Sequence, residues 1–199
     1  AAHSGGVGEV LIQRLNSLVS GFRMYASNGN AADISIPEIM NYWADDEGTK
    51  VIIIHLESLA DPKEFMEIAS RVSRKKPVLA IRTGRTAEGA RAVVSHTGRL
   101  MGAGIPIELM LETAGVLSFN DQDELCQAAI AFAAQPLPKG RRVAIVTNTG
   151  GHGIISADGC VEAGLLVPPL PDSTREALKK GLFPEAAAGN PVDVLATAT

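Results

Sequence analysis

Three observations predict an α/β fold with a mostly parallel sheet. Short β-branched or apolar runs alternate with segments of helical periodicity, which is how βαβ units read in a sequence. The central runs are apolar throughout instead of alternating, as expected for strands covered on both faces. Glycine-rich turns follow the runs and open helices, which places any ligand beyond the carboxyl ends of the strands.

Taken in order, Ser4-Gly5-Gly6-Val7-Gly8 leads into apolar positions Val10, Leu11, Leu15 and Leu18. This pattern predicts an amphipathic helix capped by Ser4. Such a turn normally follows a strand, and only Ala1, Ala2 and His3 precede it, so a strand and more are expected upstream. Phe22 to Ser27 reads as a short strand ending at the turn Asn28-Gly29-Asn30. Ile36 to Trp43 reads as a helix started near Pro37. Thr49 to Leu56 reads as a buried parallel strand that runs out at His55-Leu56-Glu57-Ser58. Asp61-Pro62 supplies an N-cap and a first-turn proline to the next helix, whose inner face is Phe65, Ile68, Ala69 and Val72.

Val78 to Ile81 is a further strand. For about twenty residues after it the hydrophobic period is lost, and Arg82, Arg85, Arg91 and Arg99 face a single acid, Glu88. This stretch predicts a long basic loop carrying Ser95-His96-Thr97-Gly98, a histidine beside hydroxyls in a positive field. A helix at Ile107 to Thr113, a strand at Val116 to Phe119 and a helix from Asp121 to Gln135 follow. Pro136-Leu137-Pro138-Lys139-Gly140 marks the boundary between a domain of residues 1–136 and a second of residues 137–199. In the second, the expected elements are a strand at Arg142 to Thr147, the turn Thr149-Gly150-Gly151-His152-Gly153, a helix from Ile154 to Ala163, a strand at Leu165 to Val167 and a helix at Ser173 to Lys180. The two halves form a weak internal repeat, with Ser4-Gly5-Gly6 answering Thr149-Gly150-Gly151. Two helix starts aimed at a common point could hold one phosphate from both sides.

Composition bounds the function. A chain of 199 residues with 46% hydrophobic and 20% charged residues can bury a core. A net charge of −4 with no basic face leaves no footprint for nucleic acid. No apolar run approaches the ~18 residues of a membrane span and no secretory leader is visible. Cys126 and Cys160 lack metal-ligand spacing, so a reduced, cytoplasmic protein without a metal site is expected. The glycines match neither a Walker loop nor a spaced dinucleotide fingerprint, so nucleotide held by these turns alone is not supported.

Seven motifs in order carry a resemblance: Ser4-Gly5-Gly6, Ser27-Asn28-Gly29-Asn30-Ala31-Ala32-Asp33, Leu56-Glu57-Ser58, Gly84-Arg85-Thr86, Ser95-His96-Thr97-Gly98, Thr147-Asn148-Thr149-Gly150-Gly151 and Asn190-Pro191-Val192-Asp193. Together they resemble the NDP-forming acyl-CoA synthetases, relatives of succinyl-CoA synthetase. The resemblance implies two flavodoxin-like domains, the second incomplete, with the CoA-binding and ATP-grasp domains supplied in cis or as another subunit. It implies an acid-thiol ligase that interconverts carboxylic acid, CoA and ATP with acyl-CoA, ADP and phosphate, with Mg accompanying the nucleotide. Acyl-CoA and phosphate would exchange to acyl phosphate and CoA, the phosphoryl group would pass to His96, and the phosphohistidine would donate it to ADP.

By the same resemblance Glu57 holds the imidazole, Ser4, Gly5 and Gly6 bind phosphate with Thr149, Gly150 and Gly151, and Ser95, Thr97, Gly98 and Asn148 support the site. His3 stands where the family has glutamine and His55 where tyrosine is common, departures that bear on substrate preference and leave the chemistry intact. The fragment alone is expected to be inactive, and exposed strand edges could promote a homo-oligomer. The competing reading is a non-catalytic CoA- or acyl-CoA-binding module, or the synthetase-like half of a protein acetyltransferase, neither of which needs a nucleophile at His96.

Overall fold

The computed structural model describes residues 1–18, 21–97 and 107–196, with the side chains of His96 and Thr97 outside that description. The chain divides into two compact units, Ala1–Pro136 and Leu137–Thr199. No helix among the described residues is long and apolar enough to cross a membrane.

The first unit is built on a parallel sheet of β1 (Ile52–Leu56), β2 (Val78–Arg82) and β3 (Leu117–Phe119), in that order. Two single-residue bridges extend it, because Ala2 pairs in parallel with Ser27 on one side and His55 on the other. The spatial order is therefore Ser27, Ala2, β1, β2, β3. Numbered along the chain this is 2-1-3-4-5, the flavodoxin-like order. The expected strand at 22–27 is thus reduced to its last residues, and Ala1 to His3 themselves occupy a strand position.

Side chains alternate across the sheet and build two cores. Ile52, Ile54, Leu56, Val78 and Ala80 pack against α2 (Ile36–Ala44), α3 (Pro62–Ser73) and α5 (Ile107–Thr113) through Met40, Phe65, Val72 and Leu111. Leu79 and Ile81 pack on the opposite face against α1 (Gly5–Ser17) and α6 (Gln122–Ala134) through Leu11, Leu15, Leu125 and Cys126. Caps set the helix starts. Ser35 and Glu38 make a capping box on α2. Asp61 and Asp121 each accept two backbone N–H groups at the starts of α3 and α6.

The long basic loop expected after β2 is corrected: residues 87–97 form a helix, α4 (Ala87–Thr97). Thr86 caps it, its hydroxyl accepting from Gly89 N–H at 3.0 Å. The alanines around Arg91 favour helix, and Val93 is buried against Gly84, where an added Cβ would stand 2.9 Å from Val93 Cγ2. The missing apolar period reflects a helix that buries one narrow stripe. Gly98 and Arg99 lie outside the described residues.

In the second unit, β4 (Val146–Thr147), β6 (Val192–Asp193) and β5 (Ala187–Ala188) form a small sheet in the order β4-β6-β5. The β4–β6 pair is parallel and the β5–β6 pair antiparallel. The expected strands at 142–147 and 165–167 shrink to β4 and one Arg142–Leu166 bridge. Helix α7 (Gly150–Glu162) starts at the glycines themselves, and α8 (Asp172–Gly181) starts one residue before Ser173. The Asn190 amide knots this unit together, donating to the carbonyls of Val143 and Pro168 at 2.9 and 2.8 Å and accepting from Ile145 N–H at 2.9 Å.

After α5, Gly115 adopts φ +71, Val116 N–H closes on Leu111 O at 2.8 Å, and an added Cβ would stand 3.0 Å from Ser73 Oγ. A left-handed residue ends this helix, where L side chains are strained. Gly115→Ala is expected to cost about 1–2 kcal/mol, read as a lower urea midpoint with an unchanged slope; an unaltered midpoint would refute the steric argument.

Candidate functional site

The site follows from where the sheet changes direction. The strand position at Ala2 leads into α1 on one face, while its neighbour β1 leads toward α3 on the other. Chains leaving adjacent strand ends for opposite faces open a crevice, the position where doubly wound sheets take ligands. Ser4 and Glu57 are the residues that leave the two strands.

Ser4 is the N-cap of α1, and its Oγ accepts from Val7 N–H at 3.4 Å. Gly5 and Gly6 are exposed, and among the described residues no protein acceptor meets their amides. Those N–H groups, at the positive end of a helix of 13 residues, are free for an anion. Glu57 is half-buried, and no side chain among the described residues bonds its carboxylate.

Two histidines tie these residues together, and sequence reasoning had placed neither in this role. Glu57 N–H donates to His3 Nδ1 at 3.0 Å. Ser4 N–H donates to His55 Nδ1 at 3.4 Å, and His55 Nε2 lies 3.4 Å from Thr83 Oγ1. An Nδ1 that accepts requires an unprotonated ring nitrogen, so the neutral His55 carries its proton on Nε2 and donates it to Thr83. His55 is 0% exposed. Burial, and then the neighbouring His3, push its pKa down to about 4. The signal was present as histidines one residue before Ser4 and two before Glu57, but their partners are main-chain amides 51 and 54 residues away.

Of the arginines expected to make a positive field, three lie near carboxylates, and Arg99 lies outside the described residues. Arg82, with its side chain 8% exposed, gives Nη1 to both Glu108 carboxylate oxygens at 2.6 and 2.7 Å. Arg85 lies 3.9 Å from the same carboxylate, and Arg91 pairs with Glu88 at 3.2 Å. Ser95 is exposed on α4, and the backbone of His96 and Thr97 forms its last turn.

In the second unit Thr149 is the N-cap of α7 without a side-chain cap bond. Its N–H donates to Thr147 Oγ1 at 3.0 Å, and its hydroxyl donates to Asn148 Oδ1 at 3.3 Å. Gly150 and Gly151 are exposed in the first turn, as is His152. Gly150 also admits Asp193, whose Oδ2 would stand 2.8 Å from an added Cβ. No cluster among the described residues could hold a metal ion.

A flavodoxin-like domain with an anion-ready helix start at its switch point, followed by a second α/β unit, defines the class. Residues 1–132 match the succinyl-CoA ligase like flavodoxin domain, and residues 143–198 match the ligase-CoA domain. The chain belongs to the succinyl-CoA ligase-like flavodoxin domain family. It is 41% identical over 197 residues to the alpha subunit of ADP-forming acetate–CoA ligase II of Pyrococcus furiosus, covering 99% of this chain and 43% of that protein. It is 36% identical to the ADP-forming acetate–CoA ligase of Methanocaldococcus jannaschii, covering 100% of this chain and 28% of the relative. Among solved structures it resembles the dinucleotide forming acetyl-coenzyme A synthetase 1 of Ca. Korarchaeum cryptofilum, in complex with phosphate and ADP, with TM-score 0.90 and 33% identity over 99% of this chain and 43% of that one. The chain thus spans less than half the length of these relatives.

A ring that is neutral when folded and basic when unfolded makes stability depend on pH. Between the ordinary value of 6.5 and about 4 the unfolded chain holds the extra proton, so stability falls as pH drops through that window and the contribution is constant below it. Wild type is expected to lose up to about 3 kcal/mol more than His55→Asn between pH 7 and 4, measured by urea unfolding at each pH. Equal losses would show that His55 is not held neutral.

Proposed function

We propose that this chain is the flavodoxin-like part of an NDP-forming acyl-CoA synthetase, and that His96 carries the phosphoryl group. The observation that carries the reading is the pair of residues at the switch point: a helix start with free amides at Gly5 and Gly6, beside Glu57 at the end of β1. Phosphoryl transfer needs positioning and charge stabilisation more than covalent chemistry from the protein. Free amides at a helix start answer the phosphate charge, and a carboxylate can orient an imidazole and favour its phosphorylated form. Acyl-CoA and phosphate give acyl phosphate and CoA. His96 then attacks phosphorus through a ring nitrogen, releasing the carboxylate, and ADP accepts the phosphoryl group to leave ATP and the free imidazole.

Ser4, Gly5 and Gly6 bind the phosphate in this scheme, and Thr149, Gly150 and Gly151 provide the second helix start, with Ser95, Thr97, Gly98 and Asn148 in support. CoA and the Mg-bound nucleotide are held mainly by further domains, in the same polypeptide or in another subunit; P. furiosus relatives named as alpha subunits support the latter arrangement. The two unpaired cysteines suit a reducing cytoplasm. Relatives named as CoA ligases over nearly all of this chain favour the ligase over a non-catalytic module.

The test uses the complete enzyme with its nucleotide-binding part. Incubation with radiolabelled ATP is expected to give an acid-labile protein label that His96→Ala abolishes. Glu57→Gln is expected to slow labelling on the order of a hundredfold, the low end of what a positioned proton-holding group contributes. A label that survives His96→Ala would assign the carrier elsewhere.

A further inference from the structure

We propose that His3 and His55 act as a reciprocal positioning pair, each ring gripping the backbone of the other's strand so that the phosphate-binding helix start and Glu57 keep one fixed spacing. This rests on the phosphohistidine reading above. His3 immediately precedes Ser4, yet its Nδ1 accepts from Glu57 N–H at 3.0 Å. His55 is two residues before Glu57, yet its Nδ1 accepts from Ser4 N–H at 3.4 Å. Each ring therefore reaches across to the other strand's functional residue. Main-chain bonds join the same segments, His3 N–H to His55 O at 3.3 Å and His55 N–H to Ala1 O at 2.9 Å. Through Nε2 and Thr83 Oγ1, His55 also reaches the residue after β2.

The chemistry of the grip is specific. Both amides need an acceptor, which an ammonium, a guanidinium or an apolar side chain cannot provide. They stand where a small displacement has a large effect. Ser4 N–H fixes the turn whose next two amides meet the anion, and Glu57 N–H fixes the backbone that aims the carboxylate. Misplacement by about an ångström at a reacting centre can lower a rate by two orders of magnitude. A fully buried ring against the Ser4 amide also keeps water from competing for that N–H. The two rings thus divide the work: His55 serves phosphate binding, and His3 serves delivery to the carrier histidine.

That division predicts different kinetic parameters for the two residues. In the complete synthetase, assayed with acetyl-CoA, inorganic phosphate and ADP, His55→Leu is expected to raise the phosphate KM roughly five- to tenfold, the worth of one hydrogen bond, with kcat little changed. His3→Leu is expected to slow labelling by radiolabelled ATP by a similar factor and to leave the phosphate KM in place. Asparagine puts an acceptor oxygen at the δ position, so His55→Asn and His3→Asn should restore the wild-type values. If His55→Leu does not fold, His3→Leu against His3→Asn decides. Agreement between the Asn and Leu variants, or Leu variants that lose only thermal stability, would overturn the pair while leaving the carrier reading intact. A wild-type enzyme that takes no label would overturn the carrier reading and the pair with it.

Discussion

The first unit depends on how its parallel ladder ends. Along its β2 edge β1 is bonded from Ile52 N–H, which donates to Pro77 O at 3.0 Å, to Leu56 O, which accepts from Thr83 N–H at 3.1 Å. The Glu57 amide stands one residue past the last ladder pair, Leu56 with Arg82, and its acceptor is a side chain. An amide at a half-buried position needs an acceptor, and the His3 ring supplies it. Ser4 meets the same constraint on the other side of the crevice and finds His55. The imidazoles act as the last rungs of the ladder, built from side chains because the backbones have already turned toward opposite faces.

The same divergence bears on which groups could meet the phosphate that we propose is bound here. The arginines near β2 would be the intuitive phosphate ligands, but Arg82 is nearly enclosed and committed to Glu108 through two short contacts. A guanidinium so held contributes structure between β2 and α5 more than free positive charge. Backbone dipoles at the start of α1 are, by contrast, exposed among the described residues. Dipoles fixed by a folded backbone need no reorganisation as charge arrives, whereas surface side chains must give up rotamer freedom to meet it. This would suit the proposed step, in which a phosphoryl group is held and then released.

Much of this was legible in the sequence where the determinant is local. Asp61-Pro62 and Asp121 announced the starts of α3 and α6 because a cap bonds only within its own first turn. The uninterrupted apolar runs announced β1 and β2 because burial on two faces removes alternation. Legibility failed where the determinant is distant. The charges at Arg82 and Arg85 read as part of a long basic loop with a positive field because their shared acid, Glu108, stands 26 residues from Arg82 in the chain. Helix α4 was missed because glycine and arginine obscured a stripe whose buried contact is Val93 against Gly84. Glu57 and Ser4 could be picked out by motif, but their histidine partners are recognisable only once Ala2 is seen beside β1.

The two helix starts are alike in sequence and different in electrostatics. At α1 the cap and first-turn groups are the Ser4 hydroxyl, an uncharged His55 ring and the amides of Gly5 and Gly6, and the nearby carboxylate is that of Glu57, at the end of the adjoining β1. At α7 the Asp193 carboxylate lies against Gly150, with its Oδ1 accepting from Leu195 N–H at 3.0 Å. A carboxylate there complements the helix dipole without any ligand, and it opposes a second anion at the same end. Glycine at 150 is what permits that approach, since a Cβ would collide with Oδ2. The motif Asn190-Pro191-Val192-Asp193 therefore does two separable things: Asn190 closes the backbone of the second unit, and Asp193 places a carboxylate at the start of α7. Of two similar glycine turns, the first leaves its leading amides exposed, and the second has a carboxylate lying against its first glycine.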